Sequence, residues 1–241
     1  MAKKTAKHKP VPISGNEPFD RAKHVYTNVA FVELVKDAIR FFNGTPVHVL
    51  PPPERFLGTG VYALYYTGNA TPYSKYAELN RLAYDFPIYV GKAVPKGWRQ
   101  SRRIDSVEMQ SAELCSRLKQ HSRSIDVVNS LKLEDFACRF MIFEGASSDM
   151  IGTFEASIIK WKKPLWNSYL DGFGNHDPGK GRYEQAQSEW DVVHPGRSWT
   201  TKCKGKTRTR ELIVSGTQKF LTEVGNTAGS PMDPSGGTAF S

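Results

Sequence analysis

Apolar residues first recur at helical spacing: Phe31, Leu34, Val35, Ala38, Ile39 and Phe42 form one stripe and predict an amphipathic helix over residues 24–42, stopped by Asn43-Gly44. The period then changes. Pro51-Pro52-Pro53 is a stiff connector, and the Val- and Tyr-rich run 60–66 predicts a strand that ends at Gly68. Residues 87–90 read as a second short strand ending at Gly91. The interval 73–84 has helical composition, so these two strands carry an insertion and are not a tight hairpin. Residues 108–125 are polar and helix-favouring, with Ala112, Leu114, Cys115 and Leu118 on one face. Residues 133–143 alternate as a third strand, and residues 150–162 form a helix that Pro164 ends.

After Trp166-Asn167 the periodicity is lost. Residues 171–200 combine seven Gly and Pro positions with Trp190, Trp199, Arg182 and Arg197, the composition of functional loops. Residues 210–224 predict a helix that packs back, and residues 225–241 are a low-complexity tail.

Composition narrows the class. A chain of 241 residues with 39% hydrophobic and 24% charged content is long enough to bury a core. No apolar run approaches the roughly 20 residues of a membrane span, and the first residues lack the apolar stretch of a secretory signal, so a cytoplasmic protein is expected. Cys115, Cys138 and Cys203 are odd in number and widely spaced, which points neither to a disulfide framework nor to a cysteine zinc site.

Charge points to the partner. The net charge of +9 and a pI near 9.4 attract polyanions, nucleic acid first among them. The excess is localised: Lys3, Lys4, Lys7 and Lys9 meet no acid in the first ten residues, and Arg197, Lys202, Lys204, Lys206, Arg208 and Arg210 meet none between Pro195 and Arg210.

Two strands each place a tyrosine near a glycine, in Gly60-Val61-Tyr62 and Tyr89-Val90-Gly91. Taken singly, a strand tyrosine packs a sheet, Arg117 and His121 are a polar pair one helical turn apart, and Glu155 is a helix carboxylate. As an ordered set, closed by Asn167 in Pro164-Leu165-Trp166-Asn167, they resemble the GIY-YIG nuclease superfamily. Tyr62 and Tyr89 stand 27 residues apart, which implies an insertion at residues 69–85. Residues 172–182 and 194–199 are similar to loops of the type II restriction endonucleases of this superfamily that cut a GC-rich palindrome such as CCGCGG. On their own, His176 and Asp177 read as a turn, and His176 and His194 as unrelated surface histidines.

The resemblance implies an α/β (α+β) fold, a three-stranded antiparallel sheet flanked by helices. Its expected organisation is a flexible basic arm at 1–20, an N-terminal helical region at 21–58, the catalytic core at 59–170, a loop-rich DNA-binding extension at 171–224 and a flexible tail at 225–241. It implies Tyr62, Tyr89, Arg117, His121, Glu155 and Asn167 as catalytic residues, with Glu155 holding one Mg²⁺, a hard ion that binds through few carboxylates. Arg117 suits phosphate oxygens; Tyr62 or His121 is the proton acceptor; Asn167 orients Tyr62 or the backbone nearby. Lys92, Arg182, Arg197, Lys202 and Lys204 are the expected contacts to double-stranded DNA, and a palindromic site implies a homodimer. A homing or repair nuclease, or a non-catalytic nucleic-acid-binding protein, is the alternative.

Overall fold

The computed structural model describes residues 18–95 and 111–227. The basic residues Lys3 to Lys9, the start of the helix expected from 108, and the tail from 228 lie outside the described residues.

Strand β2 (Thr59–Tyr66) is the axis of the sheet, and all eight of its residues are buried. Such burial demands cover on both faces, which its unbroken Val, Ala, Leu and Tyr content supports. It pairs antiparallel with β3 (Tyr89–Ala93) on one side and with β4 (Phe136–Phe143) on the other. The expected three strands are a correction: β1 (Val47–Val49) pairs with β4, and the sheet has four strands in the order β1-β4-β2-β3. Three residues are too few to show an alternating pattern, and β1 is defined by the free edge of β4 that it covers.

Side-chain alternation along β2 divides the core into two layers. Tyr62, Leu64 and Tyr66 pack with α3 (Glu113–Asp126), α5 (Leu165–Ser168), α6 (Glu189–Val193) and α7 (Arg210–Thr227). Val61, Ala63 and Tyr65 pack with α1 (Val29–Gly44) and α4 (Ile151–Lys162). The mixed α/β class therefore holds, with helices on both faces of the sheet.

Asn28 caps α1 by accepting from the Ala30 N–H at 2.9 Å. The predicted stripe on this helix is buried only at Ile39 and Phe42, while Phe31 and Leu34 are 45% and 47% exposed. The insertion between β2 and β3 holds α2 (Ser74–Leu79), with Tyr73 and Tyr76 buried beneath it. The Asn80 amide donates to the Tyr66 and Phe86 carbonyls and accepts from the Phe86 N–H, tying the insertion to the end of β2. The described residues after 171 pack on the core: Phe173, Trp190, Val193, Ile213 and Leu221 share one apolar cluster with Tyr62, Leu118 and Trp166.

His194 is a core residue and not a surface one. It is 1% exposed, with Nε2 2.6 Å from the Tyr73 hydroxyl and Nδ1 2.7 Å from the Ser130 hydroxyl. Burial, helped by Arg210, pushes its pKa down to about 3.

Two outcomes follow. Unfolding exposes His194 and lets it protonate near its ordinary pKa of about 6.5, so the stability it contributes is complete above about pH 6.5 and drains away as pH falls toward 3. Urea midpoints should be level above pH 6.5 and fall below it, with a shallower fall in His194→Asn. Separately, a Cβ at Gly60 would sit 1.9 Å from the Met141 carbonyl oxygen of β4, so Gly60→Ala should cost about 3 kcal/mol or more in the same assay.

Candidate active site

Register builds the site at the β3 edge. Tyr62 lies opposite Gly91 and Leu64 opposite Tyr89, so both tyrosines project toward the α3 layer, ring centroids 6.3 Å apart. A Cβ at Gly91 would come within 2.5 Å of the Tyr62 hydroxyl oxygen. The glycine of the second half-motif thus makes the space that the tyrosine of the first occupies. Gly174 does the same for Tyr89, whose hydroxyl lies 2.6 Å from where its Cβ would be.

Helix α3 docks on this face through Leu114, Leu118 and Ile125, which brings His121 over the tyrosines. His121 is 4% exposed, and its Nε2 lies 2.6 Å from the Tyr62 hydroxyl. Phe173 stacks on the imidazole at 4.7 Å and meets Tyr89 edge-on at 4.9 Å. Burial pushes His121 down to about 3, and the charge of Arg117 pushes the same way. The ring is therefore neutral, and in the tautomer with Nε2 unprotonated the Tyr62 hydroxyl donates to it.

Burial raises both phenols, Tyr62 well above its ordinary value and Tyr89 to about 12. Among the charges, Glu155 raises both and Arg117 lowers both. The carboxylate and the guanidinium therefore act on the tyrosines from opposite sides electrically.

Glu155 stands on α4, the layer on the other face of the sheet, and pairs with the Nζ of Lys92 on β3. Its carboxylate is the acidic group of the site; among the described residues no cluster of three His, Cys, Asp or Glu side chains could hold a metal. Arg117 donates from Nη1 to Gln120 Oε1 at 3.0 Å and lies 2.7 Å from His176 Nε2.

Asn167 completes the strand rather than touching a tyrosine. Its Oδ1 accepts from the Val90 N–H and its Nδ2 donates to the Val90 carbonyl, both at 2.8 Å, and the Trp166 N–H donates to the Ile88 carbonyl at 2.9 Å. The edge of β3 is thereby hydrogen-bonded as if another strand lay beside it.

The structure joins Tyr62, Tyr89 and His121 by direct contact, with Arg117 one turn before His121 and Asn167 behind β3; Glu155 and Lys92 pair with each other on the other face of the sheet, and of these two the carboxylate acts on both phenols through its charge. Arg182, Lys202 and Lys204 lie apart from this cluster on the exposed extension, where Lys202 sits over the Tyr183 ring at 5.4 Å and Lys204 pairs with Glu184 at 2.8 Å. Arg197 is a correction: at 6% exposure it is paired with Asp191 at 2.6 Å and bonded to loop carbonyls, so it has no surface to offer DNA. The acid-poor run it begins is not acid-poor in space, since Asp191, Glu184 and Glu189 reach Arg197, Lys204 and Arg208. His176, read from sequence as part of a turn, is the residue missed; only its place in a glycine-rich loop after Asn167 hinted at it.

Removing the Asn167 amide strands both polar groups of Val90. Asn167→Ala should cost about 1–3 kcal/mol in urea unfolding, whereas Asn167→Asp, which keeps an acceptor for the N–H, should lose less.

A search of curated proteins gave no match. The family model described as the Eco29kI GIY-YIG domain matches residues 54–221, more than two thirds of the chain, a span that holds Tyr62, Tyr89, Arg117, His121, Glu155 and Asn167. With both glycine half-motifs paired across β2 and β3 inside that span, the chain belongs to the Eco29kI family of GIY-YIG nucleases.

Proposed function

We propose that the chain is a type II restriction endonuclease that hydrolyses double-stranded DNA at a short GC-rich palindrome, working as a homodimer with one Mg²⁺ per site. The observation that carries the reading is the bond between Tyr62 and the neutral imidazole of His121, with the phenol subject to the opposed charges of the Arg117 guanidinium and the Glu155 carboxylate. A matched family of restriction enzymes supports the substrate class.

The donor set suits Mg²⁺. Glu155 offers one hard carboxylate with 17% of its side chain exposed, and the two phenols feel its charge. Bound there, the ion would neutralise phosphate charge and acidify a water. The chain's own groups do the rest. Tyr62 can pass its own proton to His121 as it takes one from water, so that no buried phenolate is left, and the negative charge of a bound phosphate would offset the cost of the imidazolium that forms. Arg117 presents a permanent charge to the phosphate oxygens as negative charge accumulates. Lys92, with 40% of its side chain exposed beside Glu155, can turn to a neighbouring phosphate.

The extension favours a restriction enzyme over a homing or repair nuclease. Those attach a reading domain of their own, whereas residues 171–224 share the core that holds Tyr62. A binder without catalysis has no use for a carboxylate aimed at a polyanion.

Incubation with plasmid DNA, in Mg²⁺ and in EDTA, followed by sequencing of the ends tests the reading. Discrete ends at one GC-rich palindrome are expected in Mg²⁺ only; tight, salt-sensitive binding without cleavage supports the binder instead. Glu155→Ala should reduce cutting to background while DNA binding persists, and Tyr62→Phe should lower kcat by about 10²–10⁴-fold.

A further inference from the structure

The loop 172–176 crosses the face of the site, and Arg197 holds it there. Every guanidinium N–H of Arg197 is used: Nε and Nη2 donate to the two Asp191 carboxylate oxygens at 2.6 Å, Nη2 also to the Gly172 carbonyl at 2.8 Å, and Nη1 to the Phe173 and Asn175 carbonyls at 3.1 and 2.9 Å. The rings of Trp190 and Trp199 lie 4.8 and 5.0 Å from the guanidinium carbon. A planar fork with five fixed donors can hold three carbonyls of one loop at once, and an ammonium cannot.

The loop delivers three contacts to the site. Phe173 packs on His121 and Tyr89, Gly174 passes under the Tyr89 hydroxyl, and His176 meets Arg117.

The last contact contains a surplus of donors. His176 Nε2 lies 2.7 Å from Arg117 Nη1, and His176 Nδ1 lies 3.1 Å from Gln120 Nε2, while Gln120 Oε1 is taken by Arg117. A neutral imidazole has one acceptor nitrogen, so it cannot serve both neighbours. Turning the Gln120 amide only moves the mismatch to Arg117. The triangle therefore contains an N–H whose acceptor lies outside it; at this exposed rim water can fill that place, and an anionic oxygen beside Arg117 can replace the water with a charge-assisted bond.

We propose that His176 is a positioning residue that sets the Arg117 guanidinium for a phosphate oxygen, and that Arg197 acts by holding the loop that carries it. The proposal rests on the nuclease reading. Because Arg117 acts most strongly on the charge that develops during reaction, misaiming it lowers kcat and leaves KM nearly unchanged.

The test is steady-state cleavage of plasmid DNA by the wild-type chain, His176→Ala, Arg117→Lys, the double variant and Arg197→Lys. His176→Ala, at an exposed position, should lower kcat by about 10-fold or more with KM within about two-fold, and should cost less than about two-fold when Arg117 is already Lys. Arg197→Lys should show the same kcat-specific loss; if it fails to fold, the His176 cycle decides alone. An unchanged kcat in His176→Ala, or losses that simply multiply in the double variant, overturns the proposal. A wild-type protein that cuts no DNA overturns the nuclease reading and this proposal with it, whereas an active wild type with an unaffected His176→Ala overturns this proposal alone.

Discussion

A phenol and an imidazole can share a dry protein layer when each satisfies the other, and the 2.6 Å contact between Tyr62 and His121 is that arrangement. Leaving either polar group buried alone would cost about 1–3 kcal/mol, so the pair constrains how α3 sits on the sheet. The helix can approach only with His121 above Tyr62, an orientation that Leu114, Leu118 and Ile125 fix by packing. Arg117, one turn earlier, then emerges half-buried at the rim, where it meets Gln120 and His176.

The sheet supplies the complementary constraint. Tyr62 belongs to the most buried strand, but Tyr89 belongs to an edge, and an edge must be satisfied before it can hold a side chain still. Asn167 and the Trp166 N–H do this from α5. The two half-motifs are coupled more closely than two short sequences suggest, because Gly91 clears the volume of the Tyr62 hydroxyl while Gly60 lets β2 approach the Met141 carbonyl. Each glycine serves a tyrosine or a strand elsewhere in the sheet.

What was legible in the sequence follows from how local each signal is. The strand around Tyr62, the helix of Arg117 and His121 and the helix ended by Pro164 carry their own periodicity, and the structure shows them at nearly those positions. The strand β1 carries none and is set by its partner. The half-exposed stripe of α1 shows the reverse failure, since periodicity states that a helix is amphipathic and not how much of its face the fold covers. His194 looked like a surface histidine because its partners, Tyr73 and Ser130, are distant in sequence. The same holds for His176, which reaches Arg117 across 59 residues.

Charge shows the gap between sequence and space most sharply. The run from Arg197 to Arg210 reads as a bare cationic stretch, yet its acids stand only a few residues upstream, in 184–191, and fold back onto it. The cost of burying Arg197 decides its role: a charge withdrawn that far from water persists only where every donor is matched, and the matching groups are the Asp191 carboxylate and the carbonyls of the 172–175 loop. A residue that would have served DNA at the surface instead sets the loop over the tyrosines. Because that loop, α6 and α7 share one apolar cluster with Tyr62, the extension cannot shift without disturbing the packing around the site. The loop that carries His176 and the tyrosines of the candidate site are therefore packed on one core, and their relative geometry is set by folding.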